Sequence, residues 1–204
     1  KDFRFEQILI EENGWHGEGG FFMSLHSRLV GPYIGHLGSE EQKMRILPKC
    51  IKGETILGIA MTEPGTGSDL AGMKSVAKRD GDDWILSGQK TYISNGILSD
   101  VVIVAAKTDP NATHSMGLFL VERGMPGFER GRNLAKMGMK AQDTAELFFE
   151  NVRIPADNVL GPPDGGFFML MQGLAEERLI AAVGNVVGCQ MAMHVTKEFV
   201  QARK

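Results

Sequence analysis

The sequence predicts an α+β protein built in three consecutive parts, and two changes of pattern carry that reading. Up to residue 54 the apolar residues recur at helical spacing. From 55 to 160 they fall in short runs of β-forming residues divided by turn signals, and from 161 to 204 helical spacing returns. No long helical stretch interrupts the β runs, which disfavours a doubly wound fold and favours a compact antiparallel barrel or sandwich.

In the first part Phe5, Ile8, Leu9 and Glu12 mark one helical face, and the pattern breaks at Gly14 and 17–20 before resuming over 21–33. Gly38-Ser39-Glu40-Glu41-Gln42 predicts a capping box, with Ser39 taking an orphan amide and Gln42 reaching back. That helix runs into Met44, Ile46 and Leu47, and Pro48 is expected to end or kink it. Lys1 opens inside one helical pattern and Arg203-Lys204 closes inside another, so both ends read as cut.

In the middle part the expected strands are 56–61, 75–78, 84–87, 90–93, 101–106, 118–121 and 146–149. Asp80-Gly81-Asp82-Asp83, Ser87-Gly88, Asn95-Gly96 and Asp109-Pro110-Asn111 are the turns between them. Gly161-Pro162-Pro163 closes this part, and a helix follows from about Gly166.

A net charge of -3 without a run of Lys and Arg supplies no electrostatic footprint for nucleic acid or an anionic membrane. Only Cys50 and Cys189 are present, which points to a reducing compartment, and no cluster of metal ligands stands out. The apolar stretches read as shorter than the roughly 18–20 residues that span a bilayer, so no membrane segment is expected. Glycine is the compositional outlier, 26 of 204 residues, against a usual share of about 7%. That excess calls for tight turns or close backbone approach to a ligand.

Met61-Thr62-Glu63-Pro64-Gly65-Thr66-Gly67-Ser68-Asp69 follows an apolar strand and combines two glycines, a proline and three hydroxyls. Its amides can point inward at a polar ligand, although an ordinary turn fits the composition equally well. It is neither a Walker loop nor a dinucleotide fingerprint. In Tyr92-Ile93-Ser94-Asn95-Gly96 an aromatic and a hydroxyl share one side of a strand, an arrangement suited to a planar ring, although on its own the pattern favours a plain strand end with a partly buried Tyr. On the last helix Gly173, Glu177, Ala181, Gly184 and Gly188 share a face, flanked by Leu170, Leu174 and Ile180. Either something thin lies there beside Glu177, or a neighbouring helix packs closely and an arginine neutralises the carboxylate. Arg178 need not pair with Glu177, because consecutive helical residues diverge by about 100°. A carboxylate without a close cation in an apolar slot rises above about 4.3, as a base for a carbon acid requires.

Taken together these segments resemble the acyl-CoA dehydrogenase family over essentially the whole chain. The stretch from Ala60 to Asp69 is similar to the family's flavin and substrate loop. Gly88-Gln89-Lys90-Thr91-Tyr92-Ile93-Ser94-Asn95-Gly96 resembles its second flavin segment, which usually carries Trp or Phe where Tyr92 stands. The segment Lys136-Met137-Gly138-Met139-Lys140-Ala141-Gln142-Asp143-Thr144-Ala145-Glu146-Leu147-Phe148-Phe149-Glu150 is similar to the long-chain branch. There, as in the isovaleryl branch, the base comes from a Glu-Arg pair on the first helix after the β domain, the place of Glu177-Arg178.

The resemblance implies a helical N-terminal part, an antiparallel β middle domain and the start of a C-terminal helical bundle. It implies FAD contacts on Ile59, Ala60, Met61, Thr62, Glu63, Pro64, Gly65, Thr66, Gly67 and Ser68, and on Tyr92, Ile93 and Ser94. Arg203-Lys204 matches the start of a segment that reaches the flavin of a neighbouring subunit. Ser68, Phe168, Ala175, Glu176, Glu177 and Arg178 are the implied acyl-CoA contacts, and Thr113-His114 aligns loosely with a loop near the CoA. The implied reaction is oxidation of an acyl-CoA to the trans-2-enoyl-CoA, with Glu177 taking the α-proton and the β-hydride passing to the flavin. The thioester carbonyl is to be polarised by a ribityl hydroxyl and the Glu177 N–H. An electron-transferring flavoprotein is the implied electron acceptor, a homo-oligomer the implied assembly, and the mitochondrial matrix or bacterial cytoplasm the implied compartment. An oxygen-using oxidase and a nucleic-acid-binding homologue are the alternatives on the same fold, and the charge balance speaks against the second.

Overall fold

The computed structural model describes residues 2–17, 20 and 23–203. Expectations that fall on Lys1, 18–19, 21–22 and Lys204 lie outside the described residues. Helix α1 (Phe3–Trp15) begins on a cap: the Asp2 carboxylate accepts from the Arg4 N–H at 3.0 Å. A π-helical segment, Leu25–Val30, then leads directly into α2 (Gly31–Leu37), with the Gly31 N–H reaching back to the His26 carbonyl. Pro32 has no N–H to continue an α-ladder there, which accounts for the wider turn.

In α3 (Glu40–Ile51) the capping box forms as predicted: Gln42 N–H donates to Ser39 Oγ at 3.2 Å and Ser39 N–H to Gln42 Oε1 at 3.0 Å. The Gln42 amide also donates to the carbonyls of Asp157 and Val159, tying this helix to the end of the β part. Pro48 does not end α3. It sits in the last turn, where its missing N–H removes one hydrogen bond, and the helix continues to Ile51 before Gly53 turns the chain at φ +74°.

Seven strands form one sheet: β1 (Leu57–Ala60), β2 (Val76–Asp80), β3 (Asp83–Ser94), β4 (Val101–Lys107), β5 (Met116–Glu122), β6 (Phe128–Asn133) and β7 (Thr144–Ile154). The order is β1-β4-β2-β3-β7-β6, with β5 pairing β4. Pairing is antiparallel except for β1 with β4 and a short β2–β4 contact at Val76 and Lys107, so the sheet is mixed rather than wholly antiparallel. The runs expected at 84–87 and 90–93 are one strand, because Ser87-Gly88 is a register shift inside β3 instead of a turn. Strand β6 escaped the sequence reading because Phe128-Glu129-Arg130-Gly131-Arg132-Asn133 carries one apolar side chain.

The sheet is apolar on both faces. Ile34, Ile46, Leu57, Ile103, Leu118 and Leu170 pack beneath the helices, and Ala77, Leu86, Val102, Val104, Phe119 and Leu147 pack on the other side. This is why the central strand β4 is an unbroken apolar run instead of an alternating one.

The last element, α4 (Gly166–Ala202), runs for 37 residues, and Arg203 is its C-cap. It buries Leu170, Ile180 and Val187, and α1 lies along it so closely that a Cβ on Gly14 would come within 2.5 Å of Val187. Contrary to expectation, α4 is long and apolar enough to cross a membrane by length and composition, with a mean hydropathy of 1.4 in an 18-residue window. Residues 179–196 carry no Asp, Glu, Lys or Arg. Polar Asn185, Gln190 and His194 hide that stretch from a search for continuous apolar residues.

Candidate active site

Glu177 is half-buried on α4, and its carboxylate accepts a hydrogen bond from the hydroxyl of Tyr33 on α2 at 3.0 Å. Two cavities meet at this side chain. One, of about 150 Å3, lies between α2 and α4 and is lined by Tyr33, Gln172 and Gly173 among others. The other, of about 380 Å3, lies between α1 and α4 and is lined by Ile10, Leu29, Ile180 and Ala181 among others. Burial pushes the Glu177 carboxyl above the ordinary value, while the Tyr33 hydroxyl and the charge of Arg178 pull it down. The nearby Arg28 is taken up elsewhere: it ion-pairs with Glu6 at 3.2 Å and Glu176 at 2.6 Å. Of the two readings weighed for the stripe of small residues, close packing of a neighbouring helix is the one seen, with Ile10 of α1 3.7 Å from a Cβ built on Gly184. The neutralising arginine does not accompany it: the carboxylate is held by a phenol instead.

The loop after β1 is closed by its own hydrogen bonds. Glu63 and Thr66 exchange backbone hydrogen bonds of 2.8 and 3.1 Å, closing a turn. The Glu63 side chain points inward, accepting from Lys90 Nζ at 2.8 Å and from the backbone N–H groups of Lys74 and Ser75. Lys90 also donates to the Met61 carbonyl and is fully buried. Burial draws the Lys90 ammonium down to about 8 against the pull of Glu63. Burial pushes Glu63 up, but Lys90 and the hydrogen bonds to its carboxylate together hold it low. Pro64, Gly65, Gly67 and Ser68 remain exposed, and a Cβ added at Gly65 or Gly67 would meet nothing within 4 Å.

A second register shift in β3, between Lys90 and Ile93, puts Tyr92 at φ 57° and leaves it 71% exposed between buried Thr91 and Ile93. A bulky residue with positive φ is strained, and strain kept on an exposed ring marks a surface shaped for something other than the core. The shift interrupts the simple alternation expected of Tyr92 and Ser94, and Ser94 is only half-buried where Tyr92 is exposed. Thr91 N–H donates to the Thr62 carbonyl at 2.9 Å, so the two segments are joined. A pinned loop with open glycines beside an outward-facing aromatic fits a planar flavin with a polar tail.

Family models for the acyl-CoA dehydrogenase N-terminal domain and middle domain match residues 2–54 and 58–152. The chain belongs to the acyl-CoA dehydrogenase family. It is 51% identical to the mitochondrial long-chain specific acyl-CoA dehydrogenase of Mus musculus over 97% of this chain and 46% of that protein. An acyl-CoA dehydrogenase structure from Geobacillus kaustophilus superposes with a TM-score of 0.96 at 47% identity, covering 100% of this chain and 55% of that one. A structure described as an FAD-dependent dehydrogenase superposes with a TM-score of 0.94 at 27% identity, covering 100% and 56%. The chain thus spans about half the length of the relatives it matches.

The other family-implied residues are spread over several surfaces. Ile59 and Met61 are half-buried, and Ala60 and Ile93 are buried, so little of their side chains is open to a ligand. Phe168 stands nine residues before Glu177, half a turn out of phase, so it is not beside the base. It lies instead with Phe167 and His114, ring centroids 5.6 and 6.2 Å away. His114 and Thr113 are exposed, and the His114 ring lies 4.3 Å from that of Phe167. Ala175, Glu176 and Arg178 are exposed on α4, and Arg203 lies over Phe199 at 5.4 Å. The Glu177 N–H sits within unbroken helix, where the carbonyl four residues back claims it, so local geometry gives no support to its carbonyl-polarising role. Sequence reasoning missed Tyr33, Arg28 and the Lys90–Glu63 pair. Of these only Lys90 carried a signal, as a charge inside a β run.

Proposed function

We propose that the complete protein oxidises acyl-CoA thioesters, long-chain ones foremost, to trans-2-enoyl-CoA with FAD, and that Glu177 takes the α-proton. The observation that carries this is a carboxylate raised by burial at the junction of two cavities, on the helix after the β domain. Ile10, Leu29, Ile180 and Ala181 offer apolar walls to an acyl chain, and Ser68 stands exposed at the end of the pinned loop, open to the CoA portion. The backbone of residues 59–68 and the side chains of Tyr92 and Ser94 would hold the isoalloxazine and its tail. Bound FAD supplies the acceptor for the β-hydride. Exclusion of water by substrate raises the basicity of Glu177 further and lets it hold the abstracted proton.

Similarity to a long-chain specific enzyme supports the chain-length preference, and a family of dehydrogenases supports an electron-transferring flavoprotein as acceptor. Exposed Leu179, Val186, Met193, Phe199 and Val200 along α4 support further helical packing or a homo-oligomer in the complete protein. Anaerobic titration of the complete flavoprotein with acyl-CoAs of graded length, followed by the flavin absorbance, tests the reading. Palmitoyl-CoA should bleach it faster than butyryl-CoA, with slow reoxidation in air. The reverse preference would remove the long-chain reading, and fast reoxidation by oxygen would make the protein an oxidase.

A further inference from the structure

We propose that Tyr33 is the positioning residue of the base: its hydroxyl fixes the Glu177 carboxylate in one orientation, and Gly173 is glycine to make room for it. This rests on the reading of Glu177 as the base. Tyr33 is only 6% exposed and comes from α2, far away in sequence, yet its hydroxyl donates to Glu177 Oε1 at 3.0 Å. A Cβ at Gly173 would lie 2.1 Å from that hydroxyl and 2.6 Å from the ring carbon bearing it, so any other residue there displaces the phenol. Gly173 is one helical turn before Glu177, so the phenol lies across the same face that presents the carboxylate.

A neutral donor suits a base that must stay reactive. It favours the ionised form through one charge-assisted hydrogen bond without the full neutralisation an arginine brings. The surroundings keep formal charges off the carboxylate. From the π-helical segment Arg28 is committed to Glu6 of α1 and Glu176 of α4, and His36 of α2 lines the smaller cavity. Arg178, on α4 itself, acts at a distance and is exposed. Tyr33 in turn is held protonated far above its ordinary range by burial first and then by the Glu177 charge, so it stays a donor at every working pH.

Tyr33→Phe removes the donor and keeps the ring, and Gly173→Ala moves the donor away without removing it. In the flavin-free complete protein, infrared difference titration of the carboxyl stretch that disappears in Glu177→Gln should shift upward by about one pH unit in both variants. In the holoenzyme the acid limb of the flavin-reduction rate should move by the same amount, giving about ten-fold slower reduction on that limb and near-parity at high pH. The KM for acyl-CoA should change less than two-fold. A carboxyl titration and acid limb that coincide with wild type in fully flavinated Tyr33→Phe would overturn the positioning role. If Glu177→Gln itself reduced flavin at the wild-type rate, the base reading would fall, and this role with it.

Discussion

At the scale of single residues, buried Glu63 and half-buried Glu177 are treated oppositely. Glu63 is saturated by Lys90 and two backbone N–H groups and held low, whereas Glu177 has a phenol and is left high. The signs of their linkage differ accordingly. The stability Glu177 contributes is full below its unfolded value of about 4.3 and is lost as pH rises through its higher folded value, so the ionised base is a cost at neutral pH. Glu177→Gln should therefore melt higher, by roughly 2 °C at pH 7, with the gain vanishing near pH 4; equal melting at both pH values contradicts this. Glu63 contributes stability above about 4.3 that disappears as pH falls through its lower folded value. Lys90→Met leaves that carboxylate without its cation and should cost about 3–5 kcal/mol in chemical denaturation, with loss of bound flavin.

At the scale of elements, what could be read from sequence was whatever local chemistry decides. Ser39 and Gln42 sign the start of α3 because capping is a matter of four consecutive residues, and Asp80-Gly81 and Asn95-Gly96 sign turns because they adopt positive φ easily. What long-range packing decides was hidden. Ser87-Gly88 looks like a turn, yet Gly88 is required because Ser75 lies against it, where an added Cβ would come within 2.8 Å of Ser75 Cα. Its φ of +155° adds to that requirement. Gly88→Ala should therefore destabilise by at least about 2 kcal/mol and move amide exchange in β3 and β2 more than in α3. The parallel β1–β4 pairing was hidden for the same reason, since 40 residues including a hairpin lie between the end of β1 and the start of β4. Tyr92 was legible as an aromatic at a strand end, but the bulge that turns it outward depends on its register with β7.

At the scale of the whole molecule, the candidate site is an assembly of parts that no single segment contains. Glu177 comes from α4, its donor from α2, the cavity wall from α1 and the pinned loop from the sheet, and Arg28 links α1 to α4 around them. The face count on α4 located the carboxylate and its small neighbours, and the family resemblance gave it a role. Tyr33 escaped both, because a contact across 144 residues leaves no periodic trace. The central claim is that Glu177 removes the α-proton. It is tested most directly by mixing fully flavinated complete protein, wild type and Glu177→Gln, anaerobically with saturating palmitoyl-CoA in a stopped-flow spectrometer. Glu177→Gln should bind the thioester with unchanged flavin spectral perturbation and reduce its flavin roughly 1000-fold or more slowly. Reduction within a few-fold of wild type would contradict the claim.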